Sequence, residues 1–125
     1  EFNPESIAKL RQWSTENGAL MDKVEFKYYA DEDLTSLLLT KDVEPGEMII
    51  SMPAALQFPS RVSAASPVPS LIENSSIGRV SALCLYLIAE RALGKKSFWA
   101  PWIETLPSTF YHALSYSDEE MEHFQ

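Results

Sequence analysis

The sequence has few of the residues that build metal sites, disulfides and phosphate-binding loops. Its 125 residues include one cysteine, two histidines and four glycines. A single cysteine, Cys84, excludes an internal disulfide. His112 and His123 are too far from it in the chain to give a metal-ligand spacing, and no glycines cluster into a phosphate loop. We therefore predict no metal site, and these patterns assign no catalytic residue.

Basic side chains and long apolar runs are also scarce. The chain has ten Lys and Arg residues and 18 Asp and Glu residues, which gives a net charge of −8. Such a surface repels phosphate backbones and anionic lipid, so we predict no direct nucleic-acid binding and no membrane partner. A lysine-bearing protein is compatible with it. No apolar run reaches about 18 residues, so no membrane span is expected, and cytoplasm or nucleus is the default compartment.

Local patterns predict an α+β fold, with a small antiparallel sheet early in the chain and helices late. Asn3 and Pro4 form a capping start for a first helix, which Asn17-Gly18 ends. Alternation of apolar and polar residues then predicts a half-buried strand over residues 24–29. The chain is long enough for one domain or part of one.

A turn sequence, Glu44-Pro45-Gly46-Glu47, lies between two apolar runs, residues 34–40 and 48–52. Proline followed by glycine suits the centre of a type II turn. The layout predicts a β-hairpin of these two runs, and residues 56–58 are expected to add a short strand.

A stretch rich in Ser, Pro and Ala, residues 59–76, has neither helical nor strand periodicity and predicts a surface loop. It divides the chain into three parts. Residues 1–58 hold the leading helix, the first strands and the hairpin, and residues 77–125 start a mostly helical region.

The strongest helical pattern, residues 77–93, is apolar on nearly all sides. One face carries Val80, Leu83, Cys84, Leu87 and Ile88, and the other side carries Ala82, Leu85, Tyr86 and Ala89. We expect this helix to be buried or covered by a partner, with self-association through it, and its thiol to be buried and inert. Gly94 is expected to end it.

Two signals mark the last third of the chain. Trp99 and Trp102, on a short helix that Pro107 stops, could stack on a ligand but are more typical of core anchors. Ser117 followed by Glu120 is a capping box, so a further helix is expected to begin there. Because the chain ends within it, we expect a piece of a longer protein.

Five segments of the chain carry sequence motifs that follow one another in a fixed order. They are IAKLRQWSTENGA, KVEFKYY, LLLTKDVEPGEMIISMPAAL, ALCLYLIAERALGKKSFWAPWIETLPSTF and YSDEEMEHF. The matching residues of the third are Thr40, Lys41, Asp42, Gly46, Glu47 and Pro53. Those of the fourth are Trp99, Pro101, Trp102, Ile103, Leu106 and Pro107. In this order they resemble SET-domain protein methyltransferases of the Rubisco large-subunit methyltransferase type, with Tyr116 in place of that family's usual Trp.

The resemblance implies the first strands of a SET-type β core followed by an inserted helical region. It implies the amino-terminal part of a protein-lysine N-methyltransferase that uses S-adenosylmethionine and takes a lysine-containing protein as substrate. One branch of the family methylates histidine, and the sequence leaves both targets open. The family's catalytic residues belong to the second half of the SET core, so this part alone is expected to be inactive.

The resemblance also implies a cofactor segment before the conserved Thr40. The family's two glycines fall on Leu34 and Ser36 here. Backbone groups of Asp33, Leu34 and Thr35 would contact S-adenosylmethionine, since such hydrogen bonds do not require a particular side chain. The alternatives are a purely structural strand within a SET-derived, non-catalytic protein-interaction module, and a generic α+β domain.

Overall fold

The computed structural model describes residues 3–32, 34–61, 66–73, 76–108 and 116–122. Its helices and strands, in chain order, are α1 Pro4–Glu16, β1 Val24–Tyr29, β2 Leu34–Leu39, α2 Val68–Glu73, α3 Arg79–Leu93, α4 Ala100–Ile103 and α5 Asp118–Glu122. Short 3₁₀ turns lie at Ala54–Leu56 and Gly94–Lys96. The predicted α+β class is confirmed.

The first helix starts and ends where the sequence predicts. The Asn3 side-chain oxygen accepts the backbone N–H groups of Glu5 at 3.0 Å and Ser6 at 3.3 Å. Because Pro4 has no N–H, two of the three N–H groups that this helix start leaves without an internal partner are thereby satisfied. Asn17 caps the other end of α1, and its backbone N–H donates to the Trp13 carbonyl oxygen.

The two strands form one antiparallel hairpin. β1 pairs with β2 in a register that runs from Val24 opposite Leu39 to Tyr29 opposite Leu34. The predicted alternation in β1 is confirmed, since Val24 is buried, Phe26 is half-buried and the residue between them is exposed.

The predicted hairpin of residues 34–40 with residues 48–52 is wrong. Residues 34–39 take the strand at 24–29 as their partner, and residues 48–52 form no strand. They run extended, and Ser51 makes an isolated bridge to Leu20 through N–H···O bonds of 2.9 and 3.0 Å. Residues 24–29 and 48–52 both have the pattern of a strand. Residues 34–39 pair with the first of these, which is nearer in the chain.

The tight turn itself is confirmed. The Glu47 N–H donates to the Glu44 carbonyl oxygen at 3.0 Å. Gly46 has a φ of 86°, which a type II turn requires at its third residue and which glycine adopts without strain. The turn joins β2 to an extended segment rather than to a paired strand.

Two further predictions are corrected between residues 54 and 76. The short strand expected at 56–58 is absent, and a 3₁₀ turn at Ala54–Leu56 stands at its start, with Leu56 buried. The expected loop at 59–76 contains α2, a helix too short to show a clear period in the sequence. Its Val68 is buried at 4% exposure, and α2 contacts α3.

Helix α3 is confirmed over most of its predicted length, and Gly94 ends it with a φ of 54°. Its orientation was not foreseen. One face of the helix is exposed: Val80 on this face is 76% exposed and Ile88 is 64% exposed. The predicted burial of Cys84 is wrong, since this thiol is exposed. The opposite side, which includes Ala82, Leu85, Tyr86 and Ala89, is the half-buried one, and α3 contacts α2 and α4.

The main core is small and lies between α1 and the hairpin. Its buried members are Ala19, Met21, Val24 and Leu56, and Trp13, Phe26 and Phe98 pack against them while partly buried. Burial of this few apolar side chains leaves a large share of the chain's hydrophobic residues at the surface. No helix in the described residues is long and apolar enough to cross a membrane.

A second packing centre surrounds Trp99, which is 2% exposed. Its ring centroid lies 5.2 to 6.0 Å from those of Trp13, Phe58, Phe98 and Trp102. Its indole N–H donates to the Arg61 carbonyl oxygen at 2.6 Å. Buried indoles with edge-to-face neighbours and a satisfied N–H stabilise a core, so Trp99 is confirmed as an anchor.

A buried acid holds the end of α3 to this centre. Glu90 is 1% exposed and accepts a 2.6 Å hydrogen bond from the Ser97 hydroxyl. The same hydroxyl oxygen accepts the Trp99 backbone N–H at 3.0 Å. Ser97 therefore connects the carboxylate of α3 to the chain entering α4.

The predicted capping box is confirmed at the start of α5. The Ser117 backbone N–H donates to the Glu120 carboxylate at 2.8 Å, and the Glu120 N–H donates back to the Ser117 hydroxyl at 3.3 Å. The bond that the Ser117 backbone N–H donates to the carboxylate lowers the pKa of Glu120. His112 and His123, considered as metal ligands above, lie outside the described residues.

Candidate functional site

The predicted cofactor residues lie at the start of β2. Leu34 and Thr35 are its first two residues and both are exposed, Leu34 by 48%. Asp33 lies outside the described residues. The segment is therefore accessible to a ligand at the two positions that the structure describes.

The register determines where the backbone groups of these residues point. The Thr40 N–H donates to the Lys23 carbonyl oxygen at 2.9 Å, and these two residues are directly opposed. In an antiparallel ladder, hydrogen-bonded and non-hydrogen-bonded pairs alternate. Counting back along the strand makes Leu34 and Tyr29 a hydrogen-bonded pair, whereas Thr35 directs its N–H and C=O away from β1.

Thr35 therefore presents a backbone donor and acceptor at the open edge of β2. Among the described residues no strand pairs with that edge. An unpaired strand edge is a ready partner for a ligand's polar groups or for another strand. Leu34 contributes only its exposed side chain, because its backbone groups face Tyr29.

A shallow groove lies at the other end of the same strand. It has a volume of about 600 Å³ and is lined by Leu39, Thr40, Lys41, Asp42 and Val43. At a rise of about 3.3 Å per strand residue, it begins roughly 17 Å from Leu34. The structure therefore does not join the predicted cofactor residues to this groove.

Lys23, the residue before β1, bonds to the chain that follows the groove. The Lys23 ammonium pairs with the Glu47 carboxylate at 2.5 Å and donates to the Met48 carbonyl oxygen at 2.6 Å. The bond from Lys23, and a second from the Glu44 N–H, lower the pKa of Glu47 below its usual 4.5. The Lys23 side chain is 16% exposed, so this pair is better shielded from water than a typical surface pair.

A second ion pair supports the groove itself. The Lys41 ammonium lies 3.1 Å from the Asp22 carboxylate, and this contact lowers the pKa of Asp22. Both side chains are more than half exposed, so the pair contributes little to stability. It places the ammonium of one groove residue beside Asp22, two residues before the start of β1.

Apolar side chains border this region without cover. Leu37 and Leu39 on β2 are 44% and 50% exposed, and Met48 and Met52 on the extended segment are 61% and 45% exposed. Several large apolar side chains exposed on neighbouring segments are typical of a binding or assembly surface. The sequence did not reveal it, because it depends on β2 lying at the edge of a two-stranded sheet.

The groove residues and Lys23 were missed as parts of a site. The family resemblance rests partly on Thr40, Lys41 and Asp42, but it predicted no groove at them, and the contacts of Lys23 depend on the pairing of β1 with β2. In the ranges that the structure describes, no group of His, Cys, Asp and Glu is arranged to hold a metal ion. What the described fold offers is an α+β scaffold with an open strand edge and uncovered apolar surface.

Curated proteins similar to this chain are protein methyltransferases. The chain is 31% identical over 120 residues to the actin-histidine N-methyltransferase of Callithrix jacchus and 30% identical over 120 residues to that of Homo sapiens. Each match covers 93% of this chain and 20% of the relative. The Gallus gallus protein of the same name is 29% identical across 100% of the chain.

The chain thus spans about a fifth of the length of the curated relatives it matches. No family model and no solved structure matches it. The predicted likeness to protein methyltransferases is confirmed, and its assignment to the Rubisco type stays a prediction.

Proposed function

We propose that this chain is the amino-terminal part of a protein N-methyltransferase that uses S-adenosylmethionine. The observation that carries the proposal is the similarity to actin-histidine N-methyltransferases along 93% of the chain. The exposed apolar surface beside β2 supports it, because a larger catalytic domain would cover that surface.

We infer that Thr35 contacts the cofactor. Its outward N–H and C=O, on an exposed and uncovered strand edge, can bond a polar group of S-adenosylmethionine. The glycine that the family places at Leu34 is not needed for this contact, since the bond comes from the neighbouring residue. Bound S-adenosylmethionine supplies an electrophilic methyl group, and the protein's part is to align it with the acceptor nitrogen and to exclude water.

Histidine is the acceptor that the relatives support, in preference to lysine. A histidine side chain, with a pKa of about 6.5, is mostly neutral at pH 7 and has a nitrogen lone pair ready for methyl transfer. A lysine, at about 10.4, is neutral in only about one molecule in 2,500 at that pH. A histidine enzyme therefore needs no group to remove a proton before transfer.

The test is methylation of actin by the full-length protein that contains this chain, with peptide mapping by mass spectrometry to place the methyl group. We expect one histidine to be methylated. A methylated lysine would overturn the proposed acceptor while keeping the enzyme class. Absence of both methylation and S-adenosylhomocysteine binding in a folded full-length sample would overturn the enzyme proposal.

A proline substitution tests the cofactor contact. Thr35→Pro removes an N–H that points away from β1, so the ladder loses no hydrogen bond. Loss of one such bond is expected to weaken S-adenosylhomocysteine binding by about tenfold, as measured by calorimetry. Thr35→Ala is the matched control, since it keeps the backbone N–H and changes only the exposed side chain, and equal weakening by both variants would contradict the assignment.

A further inference from the structure

The exposed face of α3 is an apolar stripe. We define the stripe as Val80, Leu83, Cys84, Leu87 and Ile88. At 3.6 residues per turn these positions fall within an arc of about 140°. Val80 is 76% exposed, Leu83 43% and Ile88 64%, while the opposite side of the helix packs against α2 and α4. A width of this order is what a helix buries against a partner.

The charge around the stripe differs in sign from that of the rest of the protein. Residues 79–96 carry four basic side chains, Arg79, Arg91, Lys95 and Lys96, all of them exposed. Their one acid is Glu90, which is buried at 1% exposure. This segment has a net charge of +3 in a chain of −8, so the remaining residues carry −11.

We propose that the apolar stripe docks an acidic amphipathic helix of a partner protein. Apolar residues of the partner would cover Val80 and Ile88, and its acidic residues would meet Arg79 and Arg91 at the two ends of the stripe. Complementary charge of this kind selects the partner and speeds its encounter, while the covered apolar area holds the complex. The docking is independent of methyl transfer.

The charges argue against two other occupants. An antiparallel pairing of two copies through the stripe would bring Arg79 of one copy close to Arg91 of the other, and a parallel pairing would bring the two Arg91 side chains together. Like charges at an interface disfavour the complex. An anionic membrane would attract this segment but would be repelled by the net charge of −11 on the rest of the chain.

The probe is a fluorescent synthetic peptide of about 18 residues, with Leu and Ile at helical spacing on one face and Glu on both flanks. Its binding to the full-length protein is measured by fluorescence anisotropy at low and high salt. A second peptide keeps the apolar face and replaces every Glu with Lys. We expect the acidic peptide to bind, with an affinity that falls as salt rises, and the basic peptide not to bind.

Variants localise the binding. Ile88→Asp is expected to weaken binding of the acidic peptide at least tenfold, because it places a charge within the apolar area that the peptide covers. Arg91→Glu should lower the affinity for the acidic peptide about tenfold, because it reverses the sign of a charge that contacts the peptide. The matched controls are Leu71→Asp, which is 56% exposed on α2, and Lys27→Glu, which is exposed on β1. Neither control should change the affinity by more than about twofold.

Several results would overturn the proposal. One is that neither peptide binds, which would mean that the rest of the full-length protein covers the stripe. Others are equal binding of the two peptides and equal loss in the variants and their controls. Self-association in sedimentation, or binding to anionic vesicles, that Ile88→Asp abolishes would assign the stripe to a second copy or to a membrane instead.

Discussion

Replacement of Ser97 by alanine probes the connection between the buried acid and the second packing centre. Ser97 is 6% exposed, and its hydroxyl donates to the Glu90 carboxylate while accepting the Trp99 N–H. The Ser97→Ala variant removes one oxygen and leaves the packing volume almost unchanged. The loss of stability therefore reports the two hydrogen bonds rather than a cavity.

The magnitude follows from the two partners. A hydrogen bond to a charged group contributes about 1.5–3 kcal/mol, and a neutral one contributes about 1 kcal/mol. Glu90 is buried at 1% exposure, so water cannot readily replace the lost donor. We expect Ser97→Ala to lower the free energy of unfolding by about 3 kcal/mol.

The assay is urea unfolding of the full-length protein, followed by tryptophan fluorescence, because Trp99 lies at the site of the change. Ser81→Ala is the matched control, since Ser81 is exposed on α3, and it should change the free energy of unfolding by no more than about 0.5 kcal/mol. A Ser97→Ala variant as stable as the Ser81→Ala variant would refute the inference that this hydroxyl holds α3 to α4.

Two further predictions concern a helix end and an ion pair. Gly94 has φ 54° and ψ −130°, a conformation that strains any residue with a Cβ, and an added Cβ would meet nothing within 4 Å. Gly94→Ala should therefore cost about 1–3 kcal/mol of backbone strain in thermal unfolding, more than Gly78→Ala, whose φ of −66° suits any residue; equal costs would contradict this. The lowered pKa of Glu47 means that its pairing with Lys23 stabilises the fold above about pH 4.5 and is lost as pH falls through the folded-state pKa. Glu47→Gln should thus lower the melting temperature at pH 7, with a deficit that shrinks as the pH is lowered through the folded-state pKa, and a deficit that stays the same across this range would show that the pair does not act through charge.

Features set by a few neighbouring residues were predictable from the sequence. The Asn3 cap, the Pro45-Gly46 turn, the Gly94 helix end and the Ser117 capping box each depend on contacts within about four residues. Their backbone requirements are met locally, so distant parts of the chain do not alter them.

Features that depend on competition between distant segments were not predictable. Residues 34–40 had two apolar neighbours able to pair with them, residues 24–29 and 48–52, and the local pattern does not say which one wins. The start of β2 is an open edge only because the first of these pairs with it, so the outward backbone of Thr35 could not be read from the sequence.

The prediction of which side of α3 is buried was wrong for a related reason. Its two sides are both apolar, and periodicity alone gives no preference between them. In the folded chain, the side with Ala82, Leu85, Tyr86 and Ala89 is the half-buried one, and α3 contacts α2 and α4. This orientation exposes Cys84 and creates the apolar stripe.

We propose that this chain belongs to an enzyme that transfers a methyl group to a protein histidine. The most direct measurement is mass-spectrometric mapping of methyl groups on actin after incubation of actin with the full-length protein and S-adenosylmethionine. We predict methylation of one histidine, with a rate reduced in the Thr35→Pro variant at low cofactor concentration. A folded full-length protein that leaves every histidine and lysine of that substrate unmodified would contradict the account.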